Sequence, residues 1–205
     1  KKTNFTWSRQ VAFKIVKRTV LLFFIGLFIN WFDMAISGNA LDFSHLRIWA
    51  VMQRIAICYF AVSIFALCCN HRHTIPVIVI LLAAYSLLLI WGNGYAYDSQ
   101  QNILAQIDIR LFGIEHLYHN SPVDPEGTGS SLSAIAHTLI GFYCGKRMSD
   151  AKSTEEKVLR FLITGGFLVI IGYIVSFGLP LNKRIWSPSY VCMTCGLAAV
   201  TQGLL

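Results

Sequence analysis

Apolar runs alternate with short charged clusters along most of this chain. The runs cover 16–32, 48–69, 75–92, 130–145 and 158–178, and a sixth opens near 187. A helix needs ~20 mainly apolar residues to cross the hydrocarbon core of a bilayer. The pattern therefore predicts an all-α fold, a polytopic transmembrane helix bundle of about six spans, forming one membrane-embedded domain over 1–205. The run at 75–92 carries no charge, and the one from 187 is the least apolar. Between 93 and 129 the pattern gives way to a long loop, and loops of that size are usually functional or disordered. Ile103, Leu104, Ile107 and Leu111 recur there at helical spacing. They predict a helix with one apolar face, lying along the membrane surface or capping the bundle.

Composition supports the membrane reading. Hydrophobic residues make up 55% of the chain and charged residues 13%, whereas soluble domains carry about 25% charged residues. The net charge of +7 would suit a nucleic-acid partner in a soluble protein. Here the basic residues flank apolar runs, so they report topology and no nucleic acid is expected. With a cytoplasmic N-terminus, 12 Lys and Arg fall on the inner side and 5 on the outer, namely Arg47, Arg54, Arg110, Lys183 and Arg184. That asymmetry predicts this orientation and puts the 93–129 loop outside the cytoplasm, together with 33–47 and 179–186. The six cysteines lie in or beside apolar runs. Cys192 and Cys195 form one CxxC without a second pair or a nearby histidine, so they read as small buried residues and no metal is expected. The chain starts at Lys1 without Met and stops at Leu205 inside an apolar stretch, which leads us to expect a piece of a longer membrane protein.

Several polar residues stand against this apolar background. Arg47 and Arg54 open the second run seven residues apart, which on a helix is nearly one face. An arginine within a span is costly and normally faces a partner or a wet cavity. The pair therefore predicts either an anion site, for example for phosphate groups, or ion pairs with outer-loop carboxylates. Gln53 points elsewhere and is suited to packing between helices. In the fourth run Ser130, Ser133, His137, Gly141 and Cys144 form a polar, small-residue stripe. Such a stripe admits a neighbouring helix closely, or lines a narrow passage for a thin ligand. His137 is either a base or a partner for that helix. Asp124 and Glu126 precede this run, where a helix dipole favours carboxylates. They are cap residues, or they bind and deprotonate an amine, a task that needs a pKa near the working pH. His116 and His119 on the same loop are rival bases. Asn182, Lys183 and Arg184 stand at the outer mouth with Trp186 as an interface anchor, and Lys183 either contacts an anionic ligand or only sets topology.

Three separated pieces carry a family resemblance. The first is Leu46-Arg-Ile-Trp-Ala-Val-Met-Gln-Arg-Ile-Ala-Ile-Cys-Tyr. The second is His116-Leu-Tyr, then Asp124-Pro-Glu-Gly and, after the fourth run, Gly145-Lys146. The third is Leu181-Asn-Lys-Arg-Ile-Trp-Ser-Pro-Ser-Tyr-Val. In order and spacing they resemble the heparan-α-glucosaminide N-acetyltransferase family and its bacterial relatives, over nearly the whole chain. Ala50 stands where the family usually has glycine. The resemblance implies an integral membrane protein, of the bacterial inner membrane, that takes acetyl from cytosolic acetyl-CoA to the amine of a glucosamine-type sugar across the bilayer. On this reading the local candidates for catalysis are Glu126, Asp124 and His116, and those for binding substrate or CoA are Arg47, Gln53, Arg54, His137, Asn182 and Lys183. The resemblance also places the family's catalytic histidine upstream of Lys1 and further spans beyond Leu205, so none of the six histidines here is its counterpart and this piece alone is expected to be inactive. A transporter or channel for a small sugar or anion is the alternative that the polar residues allow, and a non-catalytic scaffold is a third. Partners expected on either of the first two readings are the bilayer and a sugar or anion; self-association is left open.

Overall fold

A computed structural model describes residues 7–118 and 121–205. Lys1, Lys2 and His119, which entered the topology and base readings, lie outside the described residues. Among the described residues seven α-helices follow one another: α1 Arg9–Ile36, α2 Val51–Cys68, α3 Thr74–Trp91, α4 Ile103–Phe112, α5 Ser131–Ser149, α6 Thr154–Ser176 and α7 Pro188–Leu204. No strand occurs among the described residues. The helix starts follow from local chemistry. Ser8, Ser153 and Ser187 each accept a backbone N–H of the first turn of α1, α6 and α7. Pro188 occupies the first turn of α7, where its missing N–H costs nothing.

Among the described residues, four helices are long and apolar enough to cross a membrane: α1, α2, α3 with the turn before it (His71–Trp91) and α6. The expectation of six spans is met only in this coarser form. Six long helices are present, but α5 carries the serine, histidine and glycine stripe and α7 has 17 residues with polar positions inside. α1 buries only Ile15 and Gly26, and leaves Phe13, Phe24, Phe28 and Ile29 bare. α6 similarly exposes Ile163, Phe167, Ile170 and Ile174. Apolar surface on that scale suits contact with lipid.

α5 is the central element, packed against α2, α3, α6 and α7. Val62, Phe65, Ile78, Leu139, Ile140 and Val191 meet there in one core. α6 and α7 form the closest helix pair, because glycines remove the side chains between them. A Cβ on Gly196 would come 2.7 Å from the Gly165 carbonyl oxygen, and one on Gly172 would come 2.7 Å from the Met193 amide. Close backbone approach through small residues is the usual way that helices associate without a hydrophobic driving force.

The ends of α1, α3 and α6 and the starts of α2, α5 and α7 share one end of the bundle, and α4 covers it. Asn102 sets the start of α4. Its Oδ1 accepts the Leu104 amide at 2.9 Å, and its Nδ2 donates to the Gly94 and Ala96 carbonyls at 2.7 and 2.9 Å. The cap is fastened by a second core of Tyr85, Leu89, Leu104, Val123 and Ile185. The buried side of α4 differs from the expected one. It holds Leu104, Ala105 and Asp108, whereas Leu111 is 61% exposed. Choosing the face by hydrophobicity alone missed a carboxylate turned inward to meet polar backbone.

Candidate functional site

The site lies under the α4 cap, where the loop before α2, the loop before α5 and the loop before α7 converge. Arg47 is not on a helix. It belongs to the extended stretch between the 3-10 turn Phe43–His45 and α2, so the helical-face argument for Arg47 and Arg54 does not hold. Arg47 is fixed by its backbone. Its carbonyl accepts the Asn30 side-chain amide of α1 at 2.7 Å, and its neighbour Leu46 accepts His116 Nδ1 at 2.7 Å. A carbonyl only accepts, so His116 carries its proton on Nδ1 and acts as a clasp between the two loops. The Ile48 amide donates back to the His116 carbonyl at 3.3 Å.

From this position Arg47 Nη2 reaches Asp124 Oδ1 and Glu126 Oε2, both at 2.7 Å, and the guanidinium lies 4.8 Å from the Tyr118 ring centroid. The outer-loop ion pairs expected of the arginines are thus present for Arg47. The two carboxylates are not equivalent. Asp124 is fully buried at its side chain. Its Oδ1 also accepts the Glu126 amide at 2.9 Å and its Oδ2 the Tyr118 amide at 3.1 Å. These bonds organise the loop and leave Asp124 little capacity for a ligand. Glu126 keeps one fifth of its side chain exposed and is held only by Arg47 among the described residues, so it is the carboxylate available to an amine.

Arg54, in the first turn of α2, is 5% exposed. Its Nη2 donates to the Gly127 carbonyl at 3.2 Å and to Ser130 Oγ, and its guanidinium lies 5.0 Å from the centroid of the Trp186 ring. Ser130 in turn donates to the same Gly127 carbonyl at 2.9 Å. Trp186 was expected as an interface anchor. It is turned inward instead, with His137 on another side at 5.9 Å between ring centroids and Tyr190 at 5.5 Å. Its backbone has φ +54°, a conformation that costs a bulky residue energy and persists only where the surroundings hold it. Below Trp186 a groove of about 410 Å³ runs between α5, α6 and α7, lined by His137, Gly141, Cys144, Cys195, Ala199 and Gln202. His137, Gly141 and Cys144 of the α5 stripe therefore face a groove.

Asp108 was missed by sequence reasoning. It is 1% exposed, and its Oδ1 accepts both the amide, at 2.8 Å, and the hydroxyl of Thr128. Its other oxygen meets no partner among the described residues and lies against Gly127, where a Cβ would collide with it. Burial raises the pKa of Asp108 above the ordinary carboxylate range and the nearby Asp124 adds to this, against the Thr128 bonds and the Arg54 charge. The signal available in sequence was an aspartate four residues after Leu104 on an otherwise apolar face.

Three candidates are placed away from ligand contact. Gln53 is buried against α1, with its Nε2 donating to the Phe23 carbonyl at 3.4 Å and its amide filling the space above Gly26. It is a helix-packing residue. Asn182 Oδ1 accepts the Arg184 amide at 2.9 Å and organises the turn before α7. Lys183 is exposed, and among the described residues its ammonium makes no hydrogen bond or ion pair. Its neighbour Arg184 reaches across instead, donating to the Tyr97 hydroxyl at 2.7 Å and to Ser121 Oγ at 3.3 Å. All six cysteines are free, Cys192 and Cys195 among them.

Fold and site together define a class, an all-helical bundle with membrane-length apolar helices and a buried arginine–carboxylate site at one end. Compared with known protein families and with curated proteins, the chain matches none.

Proposed function

We propose that this chain is the core of a transmembrane acetyltransferase that moves acetyl from cytosolic acetyl-CoA to the amine of a glucosamine-type sugar on the extracytoplasmic side. One observation carries the reading: the three pieces of sequence that resemble the acetyltransferase family meet in space. Arg47 of the first piece binds Asp124 and Glu126 of the second. Arg54 of the first binds Gly127 of the second and stacks on Trp186 of the third. A scaffold gives no reason for that convergence of charge.

In this reading the six long helices span a bacterial inner membrane with the N-terminus of the chain in the cytoplasm. The groove under Trp186 admits the slender arm of acetyl-CoA from the inner end, and the loop end receives the sugar. Glu126 takes a proton from the sugar ammonium. The free amine forms the new C–N bond as the C–S bond of the thioester breaks, and the sulfur leaves protonated as the CoA thiol. Removing a general base typically lowers a rate 10²–10⁴-fold. The test uses the protein as produced from its gene in membrane vesicles, with labelled acetyl-CoA and glucosamine. We expect acetylated sugar, and about a 100-fold loss of turnover in Glu126→Gln. Wild-type turnover in Glu126→Gln at normal expression would remove Glu126 from the chemistry. Absence of any acetyl transfer by the wild-type protein, with glucosamine or anion flux in its place, would favour the transporter reading.

A further inference from the structure

Five buried hydrogen-bonding atoms around Trp186 lack a partner among the described residues. They are Arg54 Nε and Nη1, Ser133 Oγ, His137 Nδ1 and Trp186 Nε1. Native proteins match nearly all such atoms. Neither Arg54 nor Ser133 reaches solvent, at 5% and 0% exposure. The Trp186 ring links three of these residues. Trp186 has the Arg54 guanidinium 5.0 Å from its ring and the His137 ring at 5.9 Å. Ser133 lies between Ser130, which Arg54 binds, and His137, and spacings of three and four place all three on one face of α5.

Their chemistry selects the ligand. The guanidinium and indole groups only donate, the serine hydroxyl is able to donate, and the imidazole does either. A ligand here must accept. It must also carry little charge, because Arg54 is the one cation of the cluster, and Asp124 and Glu126 lie within electrostatic reach of it. A phosphate dianion is disfavoured by both carboxylates. A single carboxylate, or the oxygen of a polarised carbonyl, matches the donors without excess charge. We propose that Arg54, Ser133 and Trp186, with His137 at the edge, form a buried oxyanion site that takes either a free carboxylate or the carbonyl oxygen of the acyl group in transfer. The second source rests on the acetyltransferase reading; the first does not. Fixed donors aimed at a developing oxyanion in a site without water are a strong source of rate.

The experiment has two arms on the purified protein in detergent. In the first, saturation-transfer NMR follows acetate binding to wild type, Arg54→Gln, Ser133→Ala and Trp186→Phe, with Lys152→Ala at the far end of the bundle as control. In the second, kcat and the KM for acetyl-CoA are measured for the same set. Trp186→Phe keeps an aromatic ring and removes the indole N–H with the pyrrole part of the ring, and Ser133→Ala removes only a hydroxyl, so both are expected to fold. Loss of one such donor is expected to weaken acetate binding, or to lower kcat, about tenfold. Acetate binding that weakens in the site variants while no acetyl transfer occurs assigns the free carboxylate, and ends the acetyltransferase reading alone. A fall in kcat with KM unchanged assigns the acyl oxygen. Acetate binding indifferent to all three substitutions, or no binding together with an unchanged kcat, overturns the site.

Discussion

Asp108 is the residue whose burial has the clearest consequence for pH. Its acid is harder to ionise in the folded chain than in the unfolded one, because burial outweighs the Thr128 bonds. Between the unfolded value of about 3.9 and the higher folded value, the folded state binds more protons than the unfolded state. Stability from this group is therefore present below about pH 4 and is lost as pH rises through the folded pKa. Asp108→Asn removes the titration and keeps an oxygen for Thr128. We expect the melting temperature of the variant to gain on wild type as pH goes from 4.5 to 7.5. A difference that stays constant over that range would mean that Asp108 is charged throughout. At this scale the sequence revealed only some of the site. Arg54 stands out because a charge within an apolar run is rare, and Asp124 and Glu126 because they are carboxylates just before the fourth run. Asp108 looks like an ordinary polar position of an amphipathic helix, and Trp186 like an interface anchor, until the folded chain turns both inward. His116 was visible as a candidate base, but its role as a donor to the Leu46 carbonyl depends on a contact across 70 residues.

The helices themselves were largely legible. Five apolar runs and the start of a sixth correspond to α1, α2, α3, α5, α6 and α7, with ends displaced because caps and polar flanks extend a helix past its apolar core. α1, for example, begins at Arg9 under the Ser8 cap, so Lys14, Lys17 and Arg18 lie within it. Pairing between helices was not legible, because it depends on which glycines face one another. Gly196 meets Gly165 and Val169 of α6, whereas Gly166, one residue on, has nothing within 4 Å of an added Cβ. Gly196→Ala is therefore expected to destabilise the protein by about 1–3 kcal/mol through overpacking. Gly166→Ala is expected to be neutral or to stabilise by up to about 1 kcal/mol through helix propensity. Thermal melts of the two variants in one detergent check the contrast, and equal effects would mean that α6 and α7 do not approach along these glycines.

For the molecule as a whole, the loops before α2, α5 and α7 share one end, and Arg184 joins two of them through Ser121. The hairpin between α5 and α6, with Lys152, lies at the other. Cysteines placed at Glu126 and Lys183 are accordingly expected to react with a membrane-impermeant maleimide from the same side of intact cells, and one at Lys152 only after permeabilisation. Cys68 and Cys69 are exposed, so both must first be replaced by serine. Labelling of positions 126 and 183 from opposite sides would break the proposed site. Alternation of the apolar runs already put these loops on one side, whereas the count of Lys and Arg bears only on which side that is. The number of spans was less secure, because α5 gives up apolar character to carry the groove and so lacks the signature by which a span is counted.

The tryptophan wedge at position 186 has a structural corollary. Its ring stands between the charged loops and the groove beneath, contacting Arg54 on one side and His137 on another. A ring held at that level sets the spacing between the arginine of α2 and the histidine of α5. One side chain thereby ties the loops at that end of the bundle to the central helix α5.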